Sequence, residues 1–306
     1  MRISTQQMQQ RGVDAMLERQ TTLSSTQQQL ATGKRINVPS DDVLGSTQVL
    51  ALNEVIATSE QYQDNADIAE NRLAAEEISI TQAINVLQRA RELAIQGNGG
   101  AMGPENRAAI AVELREILDE VLGLANTVDA NGEYLFAGFN VDTVPFTATE
   151  NPAGSGLFDY AYTGDLGQRS VQIGTTRQVA VGDPGQDVFM DVPVSGGGTQ
   201  SIFETLEQLA VSFESNAQSP NASNDLKLAI DKLDSIRARI GARQNAIDAH
   251  RALNEDVIFQ GNKTLSEVQD LDYAEAISRM NLQLVGLEAS QRSFSRIQNL
   301  SLFNFL

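Results

Sequence analysis

Residues 43–96 read VLGSTQVLALNEVIATSEQYQDNADIAENRLAAEEISITQAINVLQRARELAIQ, and their spacing decides the fold. From Val49 a three-then-four rhythm passes through positions 49, 52, 56, 59, 63, 66, 70, 73, 77, 80, 84, 87, 91 and 94. Nine of these fourteen are apolar: Val49, Leu52, Ile56, Ala66, Leu73, Ile80, Ile84, Leu87 and Ala94. That period draws one apolar stripe along an α-helix. A helix from Val43 to Gln96 is roughly 80 Å long at about 1.5 Å per residue. No small globular domain needs such a rod, so the spacing predicts a fibrous helical bundle.

Working outward, Gly97-Asn98-Gly99-Gly100 and Gly103-Pro104 stop the rod and turn the chain. A shorter helix over 104–126, with Ile110, Leu114, Ile117, Leu118, Val121 and Leu122 on one face, returns antiparallel to it. Asn131-Gly132 then favours a tight hairpin. From Glu133 to about Gly198 short alternating runs (Tyr134-Leu135-Phe136, Phe158-Asp159-Tyr160, Ser170–Ile173 and Val188-Phe189-Met190) are separated by Gly, Pro and Asp. They predict a β-rich insertion, closed by Gly196-Gly197-Gly198 as a hinge back to helix.

Helices follow over 202–213 and 222–271. The second is another rod, with Leu226, Ile230, Leu233, Ile240, Ile247, Ile258, Leu265 and Val268 on its stripe. Upstream of the first rod, Pro39 breaks a loop over 33–42, and Ser40 or Asp41 is placed to cap the helix that follows. The first 32 residues repeat Met16, Leu23 and Leu30 every seventh position. Their partner heptad positions hold Val13, Gln20 and Gln27, a weak coiled-coil seam. The last segment continues the rhythm at Tyr273, Ile277, Met280, Leu284, Leu287, Gln291, Phe294 and Gln298.

The expected architecture is mainly α with a β insertion: a long antiparallel helical bundle built from both termini, plus a small β-rich outer domain. Three parts follow: a terminal helical coiled coil over 1–42 with 270–306, a helical rod domain over 43–132 with 199–269, and the outer domain over 133–198. Two rods separated by an insertion should pair, bringing the chain ends to one pole and the insertion to the other.

Composition narrows the function. The chain has 306 residues, no cysteine, no tryptophan and a single histidine, His250. That excludes a catalytic thiol, every cysteine-based metal site and a two-histidine site within one subunit. Aromatic residues are only 5%, thin for a globular core. The formal charge is −18, the reverse of a nucleic-acid footprint. No apolar run approaches the about 18 residues of a membrane span. The polar, glutamine-rich start does not look like a secretory signal. Residues 1–42 carry five basic and four acidic side chains, and residues 270–306 three and four. The ends cancel, so the whole acidic excess falls on 43–269. Close-packed copies of a strongly charged terminal pair would repel, whereas near-neutral ends can assemble.

Several stretches resemble the bacterial flagellin family. They are Leu30-Ala31-Thr32-Gly33-Lys34-Arg35-Ile36-Asn37 with Pro39-Ser40-Asp41-Asp42, Leu87-Gln88-Arg89-Ala90-Arg91-Glu92-Leu93-Ala94-Ile95-Gln96, and Ile240-Gly241-Ala242-Arg243-Gln244-Asn245. Their joint order and spacing is specific and covers about the first 140 and last 85 residues. Met1–Thr5, Asp272–Ala276 and Ser301–Leu306 are similar to the branch that joins hook to filament. Filament-forming flagellin is the alternative.

The resemblance implies a non-enzymatic structural role without a cofactor. Subunits would form a ring of about eleven copies between hook and filament. Its partners would be hook-associated protein 1 below, flagellin above and a flagellar export chaperone. Export would be unfolded, without a cleaved signal, to the extracellular flagellum, with no membrane or nucleic-acid partner.

Assembly falls on the terminal stripes: Met16, Leu23 and Leu30 against Ile277, Met280, Leu284, Leu287 and Phe294, with too little to bury in one chain. Candidate contacts between subunits are Lys34, Arg35, Gln88, Arg89 and Leu93. The last three match positions by which flagellins are recognised by Toll-like receptor 5, and a packing face between subunits is the preferred reading. Asp129-x-Asn131-Gly132-Glu133 faintly resembles a calcium loop but lacks the spaced bidentate Glu, so it reads as a turn. Glu113, Glu116, Asp119 and Glu120 read as a solvated face, and His250 as a surface or packing residue.

Overall fold

The structure is a computed structural model describing residues 5–152 and 156–299. The end motifs Met1–Ser4 and Ser301–Leu306 lie outside the described residues. Six helices carry the fold: α1 (Thr5–Thr32), α2 (Val43–Gly97), α3 (Pro104–Ala125), α4 (Ile202–Glu214), α5 (Ala222–Gln269) and α6 (Tyr273–Asn299). Between α3 and α4 lie β1 (Phe146–Glu150), β2 (Phe158–Tyr162), β3 (Ser170–Gly174), β4 (Arg177–Ala180), β5 (Val192–Pro193) and β6 (Thr199–Gln200).

Helix limits follow local chemistry. α1 ends where Gly33 enters the left-handed region (φ 73°) and its N–H donates to Gln29 O at 2.9 Å. α2 is capped by Asp42, whose Oδ1 accepts from Gly45 N at 2.9 Å. The expected caps are thereby corrected: Asp41 instead accepts from Asn37 N and Val38 N, stabilising the loop before the helix. α3 opens with Pro104. α4 opens with a capping box between Ser201 and Glu204. Asp272 caps α6 through Ala274 N and Glu275 N.

The chain divides into two compact units, one holding residues up to Thr58 with those from Asp256 onward, the other Ser59–Glu255. In the first, α1 and α6 run antiparallel. Gly12 meets Phe294, Gly286 meets the Arg19 head, and Gly33 meets the Tyr273 hydroxyl. The segment at 33–35 pairs with 269–271: Arg35 N donates to Gln269 O at 2.7 Å and Leu271 N to Gly33 O at 3.0 Å.

In the second unit α2 and α5 are antiparallel, as Gln63 Nε2 to Arg251 O (2.9 Å), Gln244 Nε2 to Glu77 Oε2 (3.0 Å) and Arg91 Nε to Ser223 O (3.2 Å) define. Leu73, Ile80 and Leu87 of the α2 stripe and Leu226, Leu233, Ile240 and Ile247 of α5 are buried in one core with α3 and α4. The segment 133–198 shares that core rather than having its own: Phe136, Phe146 and Phe189 pack ring to ring, and Phe146 lies 5.3 Å from Phe203 of α4.

The insertion differs from the sequence reading in several ways. Its sheets are three separate antiparallel pairs, β1–β2, β3–β4 and β5–β6. Val188-Phe189-Met190 is a π-helical turn over Gln186–Met190, and Tyr134 makes only a single bridge to Val128. Both apolar runs are buried by the helices, and burial satisfies an apolar run equally well in a turn. Five residues separate Val128 from Tyr134, so Asn131-Gly132 belongs to a wider turn built on the Asp129 side chain. Gly196–Gly198 is the tip of the β5–β6 hairpin, with Gly197 and Gly198 at positive φ. Within the second unit the insertion runs alongside the rods: Asn65 and Asn254 bond Gln172 O and Ile173 O, and Asp225 at the start of α5 accepts from Ser195 N, near the α2–α3 turn that meets residues 216–219.

Candidate functional site

The terminal helices meet along small residues. Gly12, Ala15, Met16 and Arg19 of α1 share a groove with Gly286, Ala289, Ser290, Ser293 and Phe294 of α6. A Cβ at Gly12 would stand 3.1 Å from the Phe294 ring, so the seam is set by close backbone approach. Met16 and Phe294 both line this groove, and Leu23 is buried. Leu30, Met280 and Leu287 are half-buried. Ile277 and Leu284 are exposed. At about 100° per residue, they lie to one side of the Ala276–Gln283–Ser290 line that faces inward.

What remains uncovered is large and apolar. Leu17 is 56% exposed, Leu282 75% and Val285 66%. Leu282 and Val285 project from the face of α6 away from that line. The pair thus offers hydrophobic surface outward with little net charge, the arrangement of a helix pair meant for further partners.

The candidate contact residues separate on inspection. Arg35 is engaged within its own chain: its guanidinium bonds Asp42 at 3.1 Å and Val268 O at 2.9 Å. These bonds hold Asp42 below the usual carboxylate range, led by the backbone N–H of Gly45 and then by Arg35. Lys34 forms a backbone bridge to Asp270 and has no ion pair among the described residues. Gln88 is exposed. Arg89 pairs with Glu113 at 2.8 Å and Glu92 at 3.3 Å. Leu93 is 2% exposed and packs under α3. One helix turn separates Arg89 and Leu93, so both face α3; Leu93 is buried beneath it while the longer Arg89 reaches its rim.

Sequence reasoning missed a polar joint where α2, α5 and the insertion converge. Arg243 holds Asp183 with two bonds, 2.9 and 3.0 Å. Asp183 N donates to Glu76 Oε1 at 3.0 Å. Arg72 reaches Asp129 (3.1 Å) and Glu133 (3.0 Å), and Arg169 also pairs with Glu133. Burial, then the neighbouring Asp183 charge, pushes the Glu76 carboxyl up to about 8. The carboxylates of the calcium-like loop are thus committed to arginines. The only sequence signal for this joint was the Ile240–Asn245 motif, whose Arg243 and Gln244 bind Asp183 and Glu77.

At the far end, Arg107 is buried and donates to Gly97 O (2.9 Å) and Asn216 Oδ1 (2.5 Å). Arg115 bridges Glu207 and Glu214, and Glu113, expected on a solvated face, takes the Arg89 pair. His250 sits half-buried against Gly174. No set of nucleophile, base and orienting group converges at any of these places. Among the described residues no helix is long and apolar enough to cross a membrane.

Paired rods, a helix pair formed by α1 and α6 and uncovered apolar surface on that pair define a long helical-bundle protein. The bacterial flagellin N-terminal helical region matches residues 3–141 and the C-terminal helical region residues 225–306. The chain belongs to the bacterial flagellin family. It is 26% identical over 322 residues to flagellar hook-associated protein 3 of Escherichia coli (strain K12), spanning 99% of each chain, and equally so over 324 residues to that of Salmonella typhimurium. The flagellin of Bacillus subtilis is also 26% identical, over 86% of this chain and 85% of its own. Among solved structures, flagellar hook-associated protein 3 of Legionella pneumophila shares the fold at a TM-score of 0.66 with 20% identity, covering 72% of this chain and 98% of its own. A putative flagellar hook-associated protein of Vibrio parahaemolyticus does so at 0.65 with 21% identity, covering 75% and 100%.

Proposed function

We propose that this protein is a non-catalytic building block of the bacterial flagellum, assembling as a ring at the junction between hook and filament. The observation that carries the reading is the uncovered apolar surface of the α1–α6 pair, at Leu17, Leu282 and Val285. One chain leaves it open to water, and copies packed around a common axis would close it. Full-length similarity to proteins named flagellar hook-associated protein 3 supports the junction over the filament, since the Bacillus subtilis flagellin aligns over a smaller share of the chain.

In this reading residues 1–42 with 270–306 form the inner layer and 43–132 with 199–269 the rod layer. The segment 133–198 lies outermost. Met16, Leu23, Leu30, Met280, Leu287 and Phe294 hold the inner pair together, while Ile277 and Leu284 turn toward neighbours. Lys34 and Gln88 are exposed to meet other subunits, and Arg89 would do so from its pairs with Glu113 and Glu92. The ring has about eleven copies, seated on hook-associated protein 1 and receiving flagellin above. Subunits reach it unfolded, escorted by an export chaperone and without a cleaved signal.

Deleting the gene and examining cells by electron microscopy tests the reading. The expected result is hooks without filaments and monomeric flagellin in the medium, restored by the intact gene. Filaments of normal length on the deletion strain would overturn it. Loss of filaments with no flagellin released would assign the chain to the filament itself.

A further inference from the structure

The polar joint holds four carboxylates, Glu76, Asp183, Asp129 and Glu133, against three guanidiniums, Arg72, Arg169 and Arg243. Every carboxylate except Glu76 has an arginine. Glu76 is 1% exposed, accepts one backbone N–H through Oε1, and its Oε2 has no partner. A buried, ionised carboxylate with an empty oxygen beside a second carboxylate is the costliest state available to this cluster. With a hydrogen on Glu76 the charges balance.

We propose that Glu76 is a proton-carrying keystone, holding its hydrogen at neutral pH and so clasping the insertion to both rods, and that losing the hydrogen loosens this clasp. The groups facing it come from each packed element: Arg72 on α2 itself, Asp183 on the insertion, and Arg243 on α5. Asp129, Glu133 and Arg169 form the layer behind. Ionised Glu76 repels Asp183, whose carboxylate ties the insertion to Arg243. Its raised affinity for the proton has the matching origin, burial first and Asp183 second.

The sign follows from linkage. The folded chain holds a proton that the unfolded chain releases above its ordinary value of 4.5. Stability contributed at this site is full below that value, falls as pH rises toward about 8, and is level beyond, where folded and unfolded chains are both ionised.

Glu76→Gln keeps the Oε1 acceptor and removes the titration. Denaturant unfolding of the full-length wild type and E76Q between about pH 5 and pH 9 reads the difference, since all other groups are shared. The expected result is a wild-type unfolding constant that worsens relative to E76Q by up to about tenfold per pH unit below about 8 and then levels. Above that pH, limited proteolysis should cut residues 133–198 faster in wild type than in E76Q. Parallel stability profiles and equal cleavage would overturn the proposal. Should E76Q not fold, infrared spectroscopy of the wild type still decides: the band of a protonated, water-free carboxyl must be present near neutral pH and gone above about pH 9, and its absence near neutral pH overturns the clasp.

Discussion

Gly97, the last residue of α2, lies flat against the ring of Phe213, the fully buried aromatic near the end of α4; a Cβ built on Gly97 would fall inside that ring's van der Waals shell. The glycine both ends the rod and admits α4 to the core. Gly97→Ala gains helix propensity of about 1 kcal/mol at most. It forces a packed ring to move, which typically costs about 1–3 kcal/mol. Overpacking wins, so G97A should lower the denaturant midpoint without changing its slope. In a Phe213→Ala background the same change should be neutral or stabilising, which a double-mutant cycle reads directly. An equal penalty in both backgrounds would remove the ring contact as its cause.

Arg243 and Asp183 test the joint independently of the Glu76 proton. Both are largely buried, and the guanidinium bonds both oxygens of the carboxylate. Arg243→Ala leaves Asp183 charged and unpaired beside Glu76. The expected loss is about 3–5 kcal/mol. Arg243→Lys should recover little, because an ammonium cannot span both oxygens. Arg237, six residues back along α5, pairs with a half-exposed Asp234, and Arg237→Ala should shift stability by less than about 1 kcal/mol. Equal effects at 237 and 243 would show that the clasp is not structural.

That contrast marks how far the sequence could be read. The α2 stripe was legible because Leu73, Ile80 and Leu87 are spaced by the helix's own period, and all three are buried. Leu93 and Arg89 were grouped by the resemblance and do share the face of α2 toward α3, yet the short apolar Leu93 is buried there while the long Arg89 reaches out to Glu113. The joint was illegible for the opposite reason. Glu76 and Asp183 stand 107 residues apart and Asp183 and Arg243 stand 60 apart, and no local period encodes such pairings. Val188–Met190 failed as a strand because its burial is imposed by Phe136, Phe146 and Phe203 rather than by a ladder.

Gly33 offers a graded test of the turn between α1 and the loop that follows. Its φ of 73° suits glycine, and a Cβ there would lie 2.8 Å from the Tyr273 hydroxyl. Gly33→Ala should cost about 1–2 kcal/mol for the left-handed backbone alone. Gly33→Asn should cost less, since asparagine visits that region most readily, and Gly33→Val more. The damage should be local. Hydrogen exchange at Arg35 and Leu271, whose N–H groups bond across to Gln269 and Gly33, should accelerate in the order Asn, Ala, Val. Unchanged exchange at both amides would mean that this turn does not depend on glycine.

The uncovered face of α6 separates folding from assembly. Leu282 and Val285 are among the more exposed apolar residues of the chain, so replacing them removes nothing buried in one subunit. Leu282→Ser with Val285→Ser should change single-chain unfolding by no more than about 0.5 kcal/mol per site. If copies cover this face, each lost side chain forfeits about 1.5–3 kcal/mol of burial in every subunit of a ring. Complementation of the deletion strain should then fail, leaving hooks without filaments, although the variant is made and folds normally. Leu23→Ser is the complement: buried within the pair, it should destabilise the isolated chain as well. Full filaments on cells carrying the double serine variant would mean that the assembly contacts lie on other faces of the terminal helices.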